Sequence, residues 1–493
     1  MDPIYRSHEI REIEARAVIA PGTPPLMQRA GVVAAHFARD KLLRGRRRIL
    51  ALAGPGNNGG DGLVMATQFR QWRLDVNVLF MGDERKLSTD ALGALMGWRA
   101  AGGVVFSDPP RGDDWDLVVD ALFGIGLERE LTSPYVELVT YINRQRCARL
   151  ALDLPSGLHA DSGRVLGSCV QASHTLTFIG LKPGLLTSDG PGMAGEIRVE
   201  PLDLDPAALL PPRGFAADDQ VLVDLLPRRQ INAHKGTHGS LGIIGGAPGM
   251  AGAALLAGRT AQHAGAGRVY VGFLGHAPAF DPNCLELMLR PALDVGALPH
   301  LTAFAFGPGL GTSDAAAEVL TQLLSSEQPV LLDADALNLL ALDDTLREQC
   351  AARTAPTLLT PHPAEAARLL GGSIEDVQRE RIPVTLALAK AFNAHVVLKG
   401  AGSICATPDG RWFINRTGNP GLASAGMGDV LSGLAGALLA QGVAPLPALL
   451  GAVYLHGKAA DSLVAQGVGP VGLSAHELID AIRAILNALP RRE

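Results

Sequence analysis

The chain has 493 residues, 47% of them hydrophobic, and a formal net charge of −6 at neutral pH. This length predicts two or three domains. The mildly acidic balance, without a long basic run, argues against a nucleic-acid-binding protein. The five cysteines are scattered, without a C-x-x-C pair, so neither a disulfide framework nor a zinc site is expected, and a reducing cytoplasm fits best. The charged opening stretch MDPIYRSHEIREIEARAV is unlike a signal peptide.

The first half alternates apolar runs with longer amphipathic segments. The runs are RILALAG, DVNVLFMG, LVVDALFG and RLALDLPSG, and helices are expected between them, for example at 62–72 and 90–101. This alternation predicts an open, mostly parallel α/β sheet. Ligands in such sheets bind beyond the carboxyl ends of the strands. The polar residues at those ends are Asn57, Asn58, Asp61, Asp120, Asp153 and Ser156.

The stretch AGPGNNGGDG follows the first of these strands and contains Gly54-x-Gly56-x-x-Gly59, the spacing of a dinucleotide-binding loop. Backbone N–H groups that converge at a helix N-terminus bind anions. Asp83 follows the next strand, where such a loop requires an acid for the ribose. A dehydrogenase that holds NAD as a cofactor is therefore one interpretation.

The polar residues inside the same loop favour a different ligand. Asn57, Asn58 and Asp61 supply side-chain oxygens that phosphate does not need, and such oxygens suit a hard cation or a hydroxylated substrate. The structural alternative is that these residues form the turn and cap the next helix. The six-residue pattern favours the ligand-binding interpretation.

Four stretches of the first half resemble the NAD(P)H-hydrate epimerase domain, which we assign to residues 1–212. They are AGPGNNGGDG, VDALFGIGLERE, ALDLPSGLHADSG and GLKPGLLTSDGPGMAGEI. The resemblance implies that the loop binds a hydrated nicotinamide nucleotide as substrate, beside a potassium ion. It implies potassium contacts from Asn58, Asp120 and Ser156. It implies substrate contacts from Asn57, Asn58, Gly59, Gly60, Asp61, Gly124, Ile125, Gly126, Leu127, Glu128, Arg129, Glu130 and Asp153.

Two positions depart from the family pattern, which usually has Thr at Ile125 and Pro at Glu130. The resemblance therefore supports backbone contacts from this second loop more strongly than side-chain contacts. Epimerisation of the hydrate acts on C6, a carbinolamine carbon, and requires proton transfer during loss of the hydroxyl or ring opening. Asp153 at a strand end is the candidate acid/base, and capping of the PSG turn is its structural alternative.

Prolines cluster in VEPLDLDPAALLPPRGFAADDQ, which predicts a linker near 205–225. A second α/β alternation follows, with strands expected in SLGIIGG, RVYVGFL, HLTAFAFGPG, PVLLDADALN, TLLTPHP and HVVLKGAG. The uncharged stretch 430–455 is long enough to cross a bilayer. Because Gly442, Pro445 and Pro447 interrupt it, two buried helices joined by a turn are predicted instead.

The stretch NPGLASAGMGDVLSGLAGALLAQG places Asp429 in a glycine turn before a long apolar helix. Amides at that N-terminus can hold a phosphoryl group while the carboxylate accepts a proton from a hydroxyl. Helix capping explains a single Asp, but it does not explain the whole Gly-x-Gly-Asp turn.

The second half, assigned to 213–493, resembles the ADP/ATP-dependent NAD(P)H-hydrate dehydratase, a ribokinase-like domain. The supporting stretches are HKGTHGSLGIIGGAPGMAGAALLA, FGPGLG, LLDADALN, LLTPHPAEAARL, VVLKGAGSICATPDG and the glycine turn. Small departures are Ala364, where Gly is frequent, and Met427, where a small or polar residue is common. The resemblance implies Asp429 as base and magnesium for phosphoryl transfer, although no sharp magnesium ligand set is visible. It implies substrate contacts from Gly252, Ala253, Gly309, His362 and Asp429, and nucleotide contacts from Lys399, Gly400, Ala401, Gly402, Ser403 and Gly428. Apart from its TPHP context, His362 has the usual alternative of a structural histidine.

The predicted fold is therefore α/β with two domains, an N-terminal Rossmann-like sandwich and a C-terminal ribokinase-like domain. The predicted protein is a bifunctional, cytoplasmic repair enzyme that acts on the hydrates of NADH and NADPH (NADHX and NADPHX), with ADP as co-substrate. Potassium and magnesium ions are expected, a homo-oligomer is expected, and neither nucleic acid nor membrane is an expected partner. Two alternatives are a dehydrogenase fused to a small-molecule kinase and a non-catalytic, nucleotide-binding regulatory or scaffold protein.

Overall fold

The structure, a computed structural model, describes residues 1–17, 22–109 and 114–489. The chain divides into one unit of Pro3–Gly214 and another of Phe215–Glu493 together with Met1–Asp2. Each unit is built on a largely parallel sheet, which confirms the predicted α/β class. The assignment of one activity to 1–212 and the other to 213–493 stays a prediction.

The seven-stranded sheet of the first unit has the order β4-β3-β2-β5-β6-β7-β8, with every neighbouring pair parallel. As far as residue 210, the elements in chain order are β1 (Asp2–Ile4), α1 (Ser7–Arg16), α2 (Leu26–Phe37), a π-helical turn (Ala38–Leu43), β2 (Arg48–Ala53), α3 (Asn57–Gln71), β3 (Asp75–Phe80), α4 (Thr89–Ala100), β4 (Val105–Phe106), β5 (Leu117–Ala121), α5 (Tyr135–Arg144), β6 (Ala148–Leu152), β7 (His174–Phe178), α6 (Gly190–Met193), β8 (Glu196–Glu200) and α7 (Pro206–Leu209).

Both faces of this sheet are buried. Along β2, Ile49 and Ala51 belong to one apolar core, whereas Leu50 and Leu52 belong to another. Successive side chains of a strand point to opposite faces, so the two cores lie on the two sides of the sheet. A strand covered on both faces reads as a continuous apolar run, and its charged residues are consequently confined to its ends.

The second sheet has eleven strands in the order β1-β9-β18-β17-β16-β15-β14-β13-β10-β11-β12. The remaining elements are β9 (Gly214–Ala216), β10 (Ser240–Gly245), α8 (Ala251–His263), β11 (Arg268–Phe273), β12 (Met288–Pro291), α9 (Ala292–Gly296), β13 (Ala303–Phe306), α10 (Asp314–Leu324), β14 (Val330–Leu332), α11 (Asp335–Leu342), α12 (Asp344–Ala351), β15 (Thr357–Leu359), α13 (Pro363–Leu370), α14 (Ile374–Arg379), α15 (Arg381–Ala391), β16 (His395–Leu398), β17 (Ile404–Ala406), β18 (Trp412–Ile414), α16 (Met427–Ala440), α17 (Pro445–Ala465) and α18 (Ala475–Ala488). From β12 to β16 the neighbours are parallel, and β17 and β18 form an antiparallel hairpin.

Two sequence predictions for the middle and end of the chain can be compared with these elements. The predicted linker or crossover near 205–225 contains the division between the two units at Gly214/Phe215, and its residues form α7, β9 and a 3-10 turn (Asp219–Leu222). The uncharged stretch 430–455 forms parts of α16 and α17, which confirms two helices joined by a turn. Across the described residues, no helix has the length and apolarity needed to cross a membrane.

Helices α8 and α16 pack so closely that a glycine is required between them. A Cβ built on Gly433 would lie 2.2 Å from the carbonyl oxygen of Ala257. The contacted oxygen belongs to the backbone of α8, which moves less easily than a flexible side chain. The approach brings the N-terminal turn of α16, with Asp429, next to the start of α8.

We expect Gly433→Ala to lower the free energy of unfolding by about 1–3 kcal/mol, because the added methyl group overpacks the helix interface. Gly296→Ala is the matched control, since a Cβ there meets no atom within 4 Å. Thermal unfolding followed by circular dichroism should show a lower midpoint for Gly433→Ala alone. Equal midpoints for the two variants would contradict the close packing.

Candidate active sites

The glycine loop of the first unit leads directly into helix α3, which begins at Asn57. The predicted start at residue 62 is therefore wrong, and the polar residues lie in the first turns of a helix. The glycines serve close packing: a Cβ on Gly54 would lie 1.8 Å from the Leu122 carbonyl oxygen, and one on Gly59 would lie 2.0 Å from the Gly54 carbonyl oxygen. Close packing of this kind stabilises the first turn of α3. The glycine-rich sequence by itself would disfavour a helix there.

Asn58 is 8% exposed, and neither its Oδ1 nor its Nδ2 has a hydrogen-bond partner among the described residues. Such buried, unpaired polar atoms are rare in folded proteins and call for a partner. The neighbouring Asn57 differs, since its exposed side chain accepts a hydrogen bond from Ser88 Oγ at 2.8 Å. The two asparagines therefore have separate roles.

Asp120 is fully buried at the end of β5. Its Oδ1 accepts from Ser156 Oγ at 2.6 Å and its Oδ2 accepts from Ser156 N at 2.7 Å. Burial raises the pKa of Asp120 to about 6, although the hydrogen bonds from Ser156 oppose the rise. Ser156 Oγ also accepts from Phe123 N at 2.9 Å. A Cβ on the next residue, Gly124, would lie 3.5 Å from the Asn58 side chain. The structure thus brings the three predicted potassium contacts together around one loop.

Asp153 follows β6 in the left-handed region, with φ 63°. Its Oδ1 lies 2.5 Å from Lys182 Nζ, and its Oδ2 accepts from Ile125 N at 3.2 Å. Lys182 is 1% exposed and also donates to Thr177 Oγ1 at 2.9 Å and to the Phe178 carbonyl at 2.6 Å. Lys182 is a site residue that the sequence prediction missed. Its signal was a single lysine in the apolar stretch FIGLKPGLL, because a buried lysine requires a carboxylate.

Asp61 supplies a second carboxyl group near Asp153. Burial, and then the charges of Asp153 and Glu14, raise the pKa of Asp61 well above its ordinary value. Asp153 instead has an ammonium partner, since its Oδ1 lies 2.5 Å from Lys182 Nζ. Two neighbouring carboxyl groups in different environments are the usual arrangement of an acid and a base.

The loop after β5 contributes mainly backbone to this site. Gly124 has no room for a side chain, since a Cβ would lie 2.8 Å from Asp153 Oδ2. The side chain of Leu127 is 7% exposed and packs in the apolar core, so the substrate contact predicted for Leu127 stays a prediction and would come from its backbone. Glu128 is exposed and lies 3.5 Å from His159 Nε2. A Cβ on Gly126 meets no atom within 4 Å, and Arg129 and Glu130 are exposed.

In the second unit, Gly426 precedes α16 with φ 85° and Asp429 lies in the first turn. Burial raises the pKa of Asp429 to about 6, the charge of Asp333 adds to the rise, and Lys399 opposes it. At neutral pH this carboxyl group is mainly ionised, yet close enough to its pKa to exchange a proton. The geometry supports a general base at a helix N-terminus.

Lys399, after β16, forms the centre of a buried charge cluster. Its Nζ donates to Asp333 Oδ1 at 2.9 Å and lies 4.0 Å from Glu365 Oε2. A Cβ on Gly428 would lie 3.5 Å from the same Nζ. Although burial lowers the pKa of Lys399, Asp333 and Glu365 outweigh burial and raise it. The structure thus brings the predicted nucleotide residues Lys399 and Gly428 together and adds two carboxylates that sequence reasoning did not assign.

The turn after Lys399 has glycines at two left-handed positions, Gly400 (φ 137°) and Gly402 (φ 59°). Ser403 Oγ donates to the Gly400 carbonyl at 3.0 Å, and Ala401 completes the turn. A Cβ on Gly400 would lie 2.9 Å from the guanidinium of Arg381, which is 2% exposed. The Arg381 guanidinium therefore packs directly against this turn. Arg381 is another residue near the site that the sequence prediction missed.

The predicted substrate-side residues fall into two groups. Gly309 (φ 59°) packs on the start of α8, where a Cβ would lie 3.1 Å from that of Ala253, while a Cβ on Gly252 would meet no atom within 4 Å. His362 instead caps α13: its Nδ1 accepts from Ala364 N at 3.1 Å and Glu365 N at 3.3 Å. Its Nε2 lies 3.2 Å from Glu365 Oε1, and 45% of the side chain is exposed.

Within the described ranges, no three His, Cys, Asp or Glu side chains are grouped as a metal cluster. The carboxylate of Asp333 is already engaged by Lys399 and by Ser432 Oγ, the latter at 2.7 Å. The side chains present in the second unit do not form a magnesium site by themselves. In the first unit, Asn58, Asp120 and Ser156 bring together oxygen donors of the type that hard cations prefer, and the potassium contacts stay a prediction.

Two family profiles match this chain. Residues 24–184 match the family of the YjeF-related protein N-terminus, and residues 241–484 match the family described as NAD(P)H-hydrate dehydratase. The bifunctional NAD(P)H-hydrate repair enzyme of Coxiella burnetii is 38% identical over 503 residues, covering 99% of this chain and 100% of the relative. The chain belongs to the bifunctional NAD(P)H-hydrate repair enzymes. The Escherichia coli K12 member is 37% identical over 500 residues, covering 98% of this chain and 94% of the relative.

Family membership confirms the predicted relationship and the predicted fold class of both units. A solved structure of the ADP/ATP-dependent NAD(P)H-hydrate dehydratase from Bacillus subtilis, co-crystallised with ATP and Mg2+, is 31% identical. It covers 56% of this chain and 98% of the other chain, with a TM-score of 0.49. Membership over nearly the whole length rejects the dehydrogenase–kinase fusion and the non-catalytic scaffold.

Replacing Lys182, whose ammonium group pairs with Asp153, should destabilise the first unit. We expect Lys182→Met to lower its free energy of unfolding by about 3–5 kcal/mol, because it leaves a buried carboxylate unpaired. Tryptophan fluorescence in urea reports on this unit, which contains Trp72, Trp98 and Trp115 of the chain's 4 tryptophans. The double variant Lys182→Met/Asp153→Asn removes both charges and should recover part of the loss. A wild-type unfolding curve for Lys182→Met would contradict the pairing.

Proposed function

We propose that this chain repairs hydrated nicotinamide nucleotides, using an epimerase site in the first unit and an ADP-dependent dehydratase site in the second. The observation that carries the proposal is the full-length match to bifunctional repair enzymes, combined with an acid–base site in each unit. One site interconverts the R and S hydrates of NADH and NADPH, and the other consumes the S form. The two activities on one chain then serve a common purpose.

Epimerisation at C6 requires the carbinolamine C–O bond to break and to form again on the other face. Asp61, whose raised pKa favours the protonated form, donates a proton as the hydroxyl leaves as water. The lone pair of the ring nitrogen supplies the electrons and leaves a planar iminium. Asp153, held by Lys182, accepts a proton when water adds to the opposite face. Proton transfer of this kind accounts for typical acid–base rate gains of about 100-fold or more.

Asn58, Asp120 and Ser156 are the residues that would hold a potassium ion. The support is the unpaired, buried Asn58 side chain beside an oxygen-rich loop. Potassium would supply a fixed positive charge next to the substrate-binding loop. The residues themselves orient that loop, since Ser156 links Asp120 to the backbone of Phe123.

Dehydration of the S hydrate begins with transfer of a phosphoryl group to the C6 hydroxyl. Asp429 accepts the hydroxyl proton, the oxygen attacks the terminal phosphorus of ADP, and AMP leaves. The ring nitrogen then expels phosphate from C6 to leave an iminium, and transfer of the C5 proton to the released phosphate restores the C5–C6 double bond of NADH or NADPH. Amides in the first turn of α16 and the ammonium of Lys399 would stabilise the charge on the transferred group. A magnesium ion is proposed to enter with the nucleotide, held largely by the phosphates and water rather than by a dedicated set of side chains, and it would neutralise charge on the transferred group.

The finer parts of the setting are proposals as well. The five cysteines are free, which is consistent with the proposed cytoplasmic location. The functional division at 212/213 falls beside the division between the compact units. The homo-oligomer remains a prediction.

The direct test of the function is the return of reduced-nicotinamide absorbance from mixed R and S hydrates, with and without ADP. Both epimers should be recovered completely when ADP is present, and neither without a nucleotide. Recovery of the S form alone would refute the epimerase assignment. No recovery with either ADP or ATP would refute the dehydratase assignment.

Replacing the two candidate bases should separate the activities. Asp429→Asn should abolish dehydration and leave epimerisation intact, whereas Asp153→Asn should slow epimerisation by about 100-fold or more and leave dehydration of pure S hydrate intact. Chromatographic separation of the epimers, together with absorbance, follows both reactions in one sample. ADP-dependent NADH formation by Asp429→Asn, or an undiminished epimerisation rate for Asp153→Asn, would refute the respective role.

Potassium should be required by the epimerase alone. Exchange of potassium for tetramethylammonium should slow epimerisation, and Asn58→Leu should raise the potassium concentration needed for half-maximal rate by about tenfold or more, the equivalent of 1.4 kcal/mol. Asn57→Leu is the matched control, because the Asn57 side chain bonds Ser88 and is exposed. Equal potassium dependence of Asn58→Leu and the wild type would contradict the cation site.

A further inference from the structure

Asp333 connects two parts of the second active site. It follows β14 and is 1% exposed. One carboxylate oxygen accepts from Lys399 Nζ at 2.9 Å, and the other accepts from Ser432 Oγ at 2.7 Å. Lys399 belongs to the turn after β16, whereas Ser432 belongs to helix α16. A single buried carboxylate thus fixes the turn and the helix to one another.

The ion pair lies next to the N-terminal turn of α16. A Cβ on Gly428 would lie 3.5 Å from Lys399 Nζ and 3.7 Å from Asp333 Oδ2. Asp429 is the next residue. Because Asp333 and Lys399 are both oriented by direct bonds, their charges have fixed positions relative to the candidate base before any ligand binds.

We propose that Asp333 is a positioning residue for the dehydration reaction, which holds the Lys399 ammonium against the first turn of α16 and balances its charge beside Asp429. This inference rests on the proposed function of the second unit. It assigns a role to Asp333 in the LLDADALN stretch. Neither the glycine turn before Asp429 nor the turn after Lys399 explains why a carboxylate is buried there.

The charged groups around Asp429 come from several elements. Asp333 raises the pKa of Asp429 and Lys399 lowers it. Glu365, on α13, is buried and lies 4.0 Å from Lys399. His456, on α17, is buried with a pKa lowered to about 4, and burial also lowers the pKa of His362, so both are neutral at pH 7. Burial raises the pKa of Glu365 to about 7, and its charge acts on Lys399. Asp333 and Lys399 are the two charges that shift the pKa of Asp429, and they act in opposite directions.

The test is the pH dependence of kcat for ADP-dependent NADH formation from S hydrate. In Asp333→Asn the Lys399 ammonium remains and lowers the pKa of Asp429 without opposition from Asp333. The acid limb of the profile should therefore move to lower pH. In Lys399→Met the carboxylate remains, so the acid limb should move to higher pH. Displacement of the ammonium or its loss should also reduce kcat, by about 100-fold for a shift of roughly 1 Å.

A loss of folding would not produce shifts of opposite sign. The double variant Asp333→Asn/Lys399→Met removes both buried charges, which proteins tolerate better than one unpaired charge. Its acid limb should return towards the wild-type position while kcat stays low. Asp335→Asn is the matched control: this carboxylate accepts from Gly311 N at 2.8 Å and Asn338 Nδ2 at 3.1 Å, so the limb should not move.

An unshifted limb in Asp333→Asn, or shifts of the same sign in both single variants, would overturn the proposal. Failure of the underlying function is recognised separately. It appears as a wild-type protein without ADP-dependent dehydration, or as an undiminished rate in Asp429→Asn. An inactive Asp429→Asn together with an unshifted Asp333→Asn would reject the positioning role alone.

Discussion

In both units a parallel sheet is covered on its two faces, and this burial limits where charged side chains can lie. Charged groups are confined to strand ends, and those that are buried there require partners. Lys182 is 1% exposed and bound to Asp153, and Lys399 is bound to Asp333, itself 1% exposed. An unpaired ion at such depth costs several kcal/mol, so neither lysine can be held without its aspartate. The pairs thereby fix charged atoms in place before a substrate arrives, which is the requirement for electrostatic preorganisation.

The backbone at these strand ends is strained in both units. Asp153 has φ 63° and Ala334, next to Asp333, has φ 51°. A non-glycine residue in such a conformation costs about 1–3 kcal/mol. At Asp153 the conformation lets one oxygen meet Lys182 while the other meets the backbone of Ile125. At Ala334 it lets the two flanking aspartates bind different partners, Lys399 on one side and Gly311 on the other. In both places the strain accompanies an orientation of carboxylates that an extended strand would not provide.

Sequence reasoning located the features that local patterns encode. The strands end where apolar runs end, and the turn before Asp429 is visible because glycine spacing and helix periodicity occur in one short stretch. Lys182 was missed, and Asp333 was noted in LLDADALN without a role, because their partners are remote: Asp153 is 29 residues from Lys182, and Asp333 is 66 residues from Lys399. The start of α3 was misplaced for a related reason. Its glycines favour a loop locally, but close packing of Gly60 against Met27 and of Gly62 against Ala121, both distant in sequence, stabilises a helix. Turn chemistry and periodicity are local, whereas ion pairing and close packing depend on the tertiary fold.

The two sites differ in which protonation state their second carboxyl group favours. Each unit has one aspartate that is bound to a lysine and another that lacks such a pair. In the first unit the latter is Asp61, whose pKa is raised well above its ordinary value, a shift that favours the protonated form and a role as proton donor. In the second it is Asp429, with a pKa of about 6, which is mainly ionised at neutral pH and suited to accept. Epimerisation must protonate a departing hydroxyl, whereas phosphorylation must deprotonate an attacking one.

Lys399 accounts for part of this difference between Asp61 and Asp429, since its charge opposes the rise in the pKa of Asp429. Asp61 has Lys182 nearby as well, but burial and the charges of Asp153 and Glu14 outweigh it. The balance between burial and a nearby ammonium therefore sets one carboxyl group as an acid and the other as a base.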